Sequence, residues 1–217
     1  MEVKHLSNPT NDIFYQAASV WNELSEYNYK FTYGYKKNLY TINLIFSLED
    51  FPHLAGFQYL KDISLPRYNR KKIVSRILDR TIKYEQIKKA EQYEEMVLPR
   101  LEALVRMKDT FDNEFNLFSY MPKMYPFFTR IQANYLISSH SDITSFVFII
   151  QSDSDETAKC NCLCCSTFKQ EDRNYESNQR SHKLMKKERL HIPSGSSTIL
   201  LDKLSSQATS KESKEDS

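Results

Sequence analysis

Helical periodicity fills much of the first half of this chain and strand-like segments fill the second. That division constrains the fold more than any motif does. Ile13, Phe14, Ala17, Ala18, Val20, Trp21 and Leu24 recur at helical spacing within residues 8–24, and Asn11–Asp12 stands where a cap is needed. Residues 27–33 and 39–46 are rich in aromatic and β-branched side chains, and the five residues between them suit a hairpin connection. Asp50 stands before a helix that starts at Phe51-Pro52 and is expected to run to Ile63. Further helices are expected over 69–78 and 85–111, the latter interrupted near Pro99.

The character then changes. Residues 114–120, 130–138, 144–151 and 159–168 read as consecutive strands, and 183–192 as a last strand or a frayed helix. Helices followed by consecutive strands predict an α+β fold. In it, N-terminal helices and a hairpin pack on an antiparallel sheet of about four to six strands. The expected organisation is a single domain over 1–193 and a polar, disordered tail over 194–217.

Composition narrows the chemistry. Gly34, Gly56 and Gly195 are the three glycines in 217 residues, which excludes a glycine-rich phosphate loop and a dinucleotide fingerprint. The net charge of +2 carries no global signal for nucleic acid. No apolar run approaches the roughly 20 residues that span a bilayer. Residues 1–9 lack the apolar stretch of a secretory signal, so a cytoplasmic, reducing location is expected, with the cysteines as thiols.

Four groups of residues could carry chemistry. Cys160, Cys162, Cys164 and Cys165 lack the two spaced pairs of a structural zinc site. The plainer reading is a buried strand, and no metal or cofactor is expected. A basic segment contains Arg67, Arg70, Lys71, Lys72, Arg76 and Arg80 with tyrosines interleaved. It suits a phosphate backbone, or equally a solvated helix face. His53 falls in the first turn of the expected helix, where free N–H groups attract anions and the dipole lowers an imidazole pKa. A neutral imidazole beside a phosphate is a candidate general base. Lys61 is roughly 12 Å further along such a helix. Last, Ser166, Tyr175 and His182 lie among hydroxyl, amide and ammonium side chains near the end of the sheet. Ser166 lacks the glycine-flanked elbow of a serine hydrolase.

Several pieces, taken in order, resemble one family: Leu39-Tyr40-Thr41-Ile42-Asn43-Leu44, the His53-Leu54-Ala55-Gly56 segment, Arg100-Leu101-Glu102-Ala103-Leu104, Ile131-Gln132-Ala133-Asn134-Tyr135-Leu136, Val147-Phe148-Ile149-Ile150, a Cys-Cys-Ser-Thr-Phe strand and a late Tyr175…Asn178-Gln179 element. Over roughly residues 10–192 the chain is similar to the phage-associated Barnase–EndoU–ColicinE5/D–RelE-like nuclease domain, type four. The resemblance implies a small sheet on N-terminal helices and metal-independent RNA cleavage by 2′-hydroxyl attack on the adjacent phosphate. It also implies a toxin-like protein of phage or mobile-element origin, with RNA as partner and a place for an immunity or phage protein. In that frame His53 is the expected base or acid and Lys61 and Arg100 stabilise the phosphate. Ser166, Tyr175 and His182 are secondary candidates. The competing expectation is a non-catalytic nucleic-acid or protein-binding module on the same fold.

Overall fold

The computed structural model describes residues 12–65, 69–152 and 161–205. Six α-helices occur among them: α1 (Ile13–Leu24), α2 (Phe51–Leu54), α3 (Ile73–Leu78), α4 (Tyr84–Ile87), α5 (Leu98–Val105) and α6 (Met107–Asp112). The strands are β1 (Tyr27–Tyr35), β2 (Asn38–Leu44), β3 (Asn116–Ser119), β4 (Tyr135–His140), β5 (Thr144–Gln151), β6 (Asn161–Lys169), β7 (Arg180–His191) and β8 (Ser197–Asp202). No helix among the described residues is long and apolar enough to cross a membrane.

Asp12 caps α1 as its position suggests, its Oδ1 accepting from the Tyr15 backbone N–H at 2.9 Å. Phe14, Ala17, Ala18, Trp21 and Leu24 form the buried stripe. The hairpin is tighter than the expected five-residue connection. Tyr35 pairs with Asn38, and Lys36 and Lys37 alone make the turn, with φ of 47° and 68°. Two consecutive left-handed residues match the right-handed twist of the flanking strands.

The expected helix over 51–63 stops after Leu54. Gly56 sits at φ 84°, and a Cβ there would lie 3.1 Å from both Arg100 Cδ and the Met96 carbonyl oxygen. Only glycine satisfies the left-handed backbone and this close approach together. The chain leaves it as a short 3₁₀ turn, Phe57–Tyr59.

The sheet differs from the expected four to six strands. Seven strands form a ring in the order β1-β2-β6-β5-β4-β3-β7, closed because β7 also pairs with β1, and β8 adds to β7 as an eighth strand. The hairpin therefore belongs to the sheet and does not pack on it. The β2–β6 contact is the parallel one, covering Asn43↔Asn161 and Leu44↔Cys162. β8 also corrects the expected tail. The chain turns at Gly195 and pairs from Ser197 to Asp202 with Leu190 to Lys186. Residues 206–217 lie outside the described residues.

Two hydrophobic clusters lie on opposite faces of the strands. The main one joins α1, α3, α5 and α6 to Phe31, Ile42, Leu44, Leu117, Ile137, Val147, Ile149 and Cys162, which face into the ring. Tyr33 and Tyr135 confirm that face: their strands are not neighbours, yet their hydroxyls lie 3.2 Å apart across the interior. The second cluster, outside the ring, is mostly aromatic: Phe118, Tyr120, Tyr125, Phe146, Phe148 and Tyr175, with Leu136.

Candidate active site

A bulge decides on which face the β6 candidates stand. Ile149 pairs with Cys164 and Phe148 with Ser166, so Cys165 is an extra residue. Before it, Cys162 and Cys164 face the ring interior. After it, Ser166 and Phe168 share the outer face with Phe148 and Phe146. Cys165 donates to the Phe148 carbonyl at 3.4 Å, and burial pushes its thiol up to about 11. Burial also pushes Cys164 well up, so both are protonated, unreactive thiols at neutral pH. Cys160 lies outside the described residues.

Arg100 and Tyr175 meet on that outer face through Phe168. The Arg100 guanidinium carbon is 5.5 Å from the Phe168 ring and 5.2 Å from that of Tyr59. Tyr175 lies 5.3 Å from Phe168 and is buried among Phe146, Phe148 and Tyr125. Burial lowers the Arg100 pKa. His53 is exposed on the four-residue α2, and Lys61 is exposed beyond the 3₁₀ turn. Among the described residues, no hydrogen bond or ion pair links either to Arg100 or His182.

The basic segment divides by use. Arg70, Lys71 and Lys72 are exposed on a 3₁₀ turn, with Lys71 3.2 Å from Glu49. Arg76 is half-buried on α3. Arg80 is committed within the fold. It pairs with the buried Asp12 and lies 4.0 Å over the Tyr15 ring, tying α3 to the start of α1. Arg67 lies outside the described residues.

His182 has a different setting. It pairs with Leu117 across β7 and β3, which places it on the inward face at one end of the ring. Its Nε2 lies 2.7 Å from Ser119 Oγ. Its ring centroid is 4.6 Å from Tyr33 and 5.5 Å from Tyr35, edge-on to the latter. Nδ1 is buried without a hydrogen-bond partner. The charged ring carries an N–H on both nitrogens and gains no hydrogen bond at Nδ1. Burial, followed by the neighbouring Arg180 cation, accordingly lowers the His182 pKa. Arg180 donates to Tyr35 Oη at 2.8 Å, and Lys36 lies 5.4 Å over the same ring. Tyr33 stacks on the exposed Tyr40 at 5.7 Å. The β1–β7 register sets Lys183 opposite Gly34, beside the Lys36–Lys37 turn.

Sequence reasoning missed a second histidine. His140, at the end of β4, has Nε2 2.8 Å from Glu176 Oε1 and 3.1 Å from Ser138 Oγ, and Nδ1 3.1 Å from Thr144 Oγ1. Burial would push the Glu176 carboxyl up, but the hydrogen bonds from Ser138 and His140 outweigh it and hold it below the usual range. His140 and His182 both border a cavity of about 880 Å³, together with Lys183, Lys187 and Lys203. The Ser138-Ser139-His140 end of the strand carries no motif, and Glu176 reaches it only through folding.

The ring and its histidine mouth thus define an α+β protein whose candidate site joins His182 to tyrosines and to Arg180, beside a cavity lined by lysines and by the acids Asp112 and Glu114. The chain belongs to the family described as phage-Barnase-EndoU-ColicinE5/D-RelE like nuclease4, whose model matches residues 13–204. Comparison with curated proteins gives no match, and neither does comparison with solved structures.

Proposed function

We propose that this protein is a metal-independent endoribonuclease and that His182, rather than His53, is its general base. The observation that carries the reading is the His182 environment: an imidazole bonded to a hydroxyl, enclosed by tyrosines and flanked by Arg180. Family membership supports the nuclease class.

The lowered pKa keeps the ring neutral at neutral pH, ready to accept a proton. In the tautomer that keeps its proton on Nδ1, His182 Nε2 is the accepting nitrogen and takes the proton of the ribose 2′-hydroxyl, whose oxygen attacks the adjacent phosphorus. Ser119 holds the incoming hydroxyl in line. Arg180 and Lys183 stabilise the added negative charge on the phosphoryl oxygens. Tyr35 Oη accepts from Arg180, which leaves its own O–H free to protonate the departing 5′-oxygen. The products are a 2′,3′-cyclic phosphate and a 5′-hydroxyl, with no metal or redox step required. The exposed Tyr40 and the lysine turn lie where flanking nucleotides would pass.

The test reads product ends. Purified protein is incubated with a labelled RNA in EDTA, and with the same RNA carrying 2′-deoxyribose at the mapped cleavage position. A cyclic phosphate from the first and no cut in the second are expected. Cleavage of the deoxy substrate, or no cleavage of any RNA, would reject the reading.

A further inference from the structure

Phe128 is 77% exposed, the most exposed of the large apolar side chains among the described residues. Its neighbour Phe127 is packed, stacked on Tyr125 at 4.8 Å with 8° between planes. The loop that presents Phe128 is held at several points. Gln179 accepts from the Met121 N–H at 2.6 Å and donates to the Met121 carbonyl at 3.2 Å. Tyr125 Oη donates to the Tyr175 carbonyl at 2.7 Å, and Arg173 donates to the Phe128 carbonyl itself at 3.3 Å. A hydrogen-bonded backbone therefore presents an apolar ring to solvent, where covering it would bury apolar surface favourably.

The surroundings are cationic. Residues 121–134 contain Lys123 and Arg130 and no carboxylate. Arg173 lies 5.1 Å over the Phe127 ring, beside Phe128. The nearest acids in sequence are Glu171 and Asp172, and Glu171 acts on Arg100. The loop is also continuous with the proposed active site. It follows Ser119 in the chain, and its tether Gln179 precedes Arg180.

We infer that Phe128, with Arg173 and Arg130, forms a stacking subsite for an unpaired base of single-stranded RNA, outside the cleavage position. Aromatic faces among cations accept any base, because the ring stacks while the cations hold the phosphates. The same loop exposes Met124, but its charged residues are Lys123 and Arg130, with Arg173 bonded to the Phe128 carbonyl, and this charge favours a polyanion over a purely apolar protein surface. The inference rests on the reading of the protein as acting on RNA and adds where substrate is gripped.

The experiment measures binding without turnover. The H182A protein is titrated with a fluorescein-labelled single-stranded RNA of about eight nucleotides, with a duplex of equal length as control. F128A is expected to weaken single-strand binding about 5- to 150-fold, F128Y to stay within about threefold of the parent, and duplex binding to be unchanged. Equal binding by F128A and parent would overturn the inference. So would full retention by F128L, which would assign the ring to a plain apolar contact. The two readings fail separately. If wild type cleaves no RNA but F128A still weakens binding, only the catalytic role falls. If wild type cleaves and F128A changes neither Kd nor KM, only the subsite falls.

Discussion

Arg80 pairs with Asp12, the residue that caps α1, so a cation from the basic segment fastens the first helix while its side chain stays part-exposed. Asp12 is 5% exposed, and its carboxylate serves both the Tyr15 N–H and the guanidinium. Asp12→Ala removes the cap and leaves Arg80 without its partner, so a loss of about 1–3 kcal/mol in chemical denaturation is expected. Arg80→Ala should likewise lower the melting temperature.

Arg70, Lys71 and Lys72 are exposed and behave oppositely. Their joint reversal to glutamate should leave the melting temperature nearly unchanged. If RNA crosses this surface, each lost phosphate contact lowers the salt slope of log K by about 0.7 for single strands. Binding measured from low to moderate salt checks this. An unchanged slope would restrict RNA to the His182 end.

Lys187 is 4% exposed and donates to the carbonyls of Phe111, Asp112 and Asn113 at the end of α6. Burial pushes its pKa down to about 8, against an ordinary 10.5. Between those values the unfolded chain binds more protons than the folded one. The contribution of this group to stability therefore rises with pH from about 8 to 10.5 and is lost as pH falls through 8. Urea midpoints across that range should show the rise, and Lys187→Met should flatten it.

Gly56→Ala meets both the φ of 84° and the 3.1 Å approach to the Met96 carbonyl. A cost of about 1–2 kcal/mol from the left-handed conformation alone is expected. Denaturant titration of G56A checks it.

The local elements were readable because their causes are local. The Asp12 cap, the α1 stripe and the Tyr27–Leu44 hairpin follow from spacing and residue type. Ring closure was not readable. It depends on Tyr27 pairing with His191 and Gly34 with Lys183, contacts between distant segments with no local signature. The Cys165 bulge exchanges the two faces of β6 partway along, so strict alternation misplaces Ser166. β8 did leave a signal, the Ile199-Leu200-Leu201 run after a Pro-Ser-Gly turn, which the polar tail beyond it masked. His182 was visible among polar neighbours, but its Ser119 and tyrosine partners come from other strands. The His53 expectation assumed a helix long enough to supply an N-terminal anion site, and Gly56 ends that helix after four residues.

His182 also sets a pH signature. A base with a pKa below its ordinary 6.5 stays neutral down to that lower pH, so the acid limb of kcat/KM should lie under 6.5. An acid limb above 7 in the pH–rate profile would assign the base to another group.

The most direct measurement is the rate of RNA cleavage in EDTA by wild type, H182A and H53A, each checked for an unchanged melting temperature. H182A should lose about 10²- to 10⁴-fold in kcat/KM, while H53A stays within about twofold of wild type. H182A cleaving as fast as wild type would contradict the account.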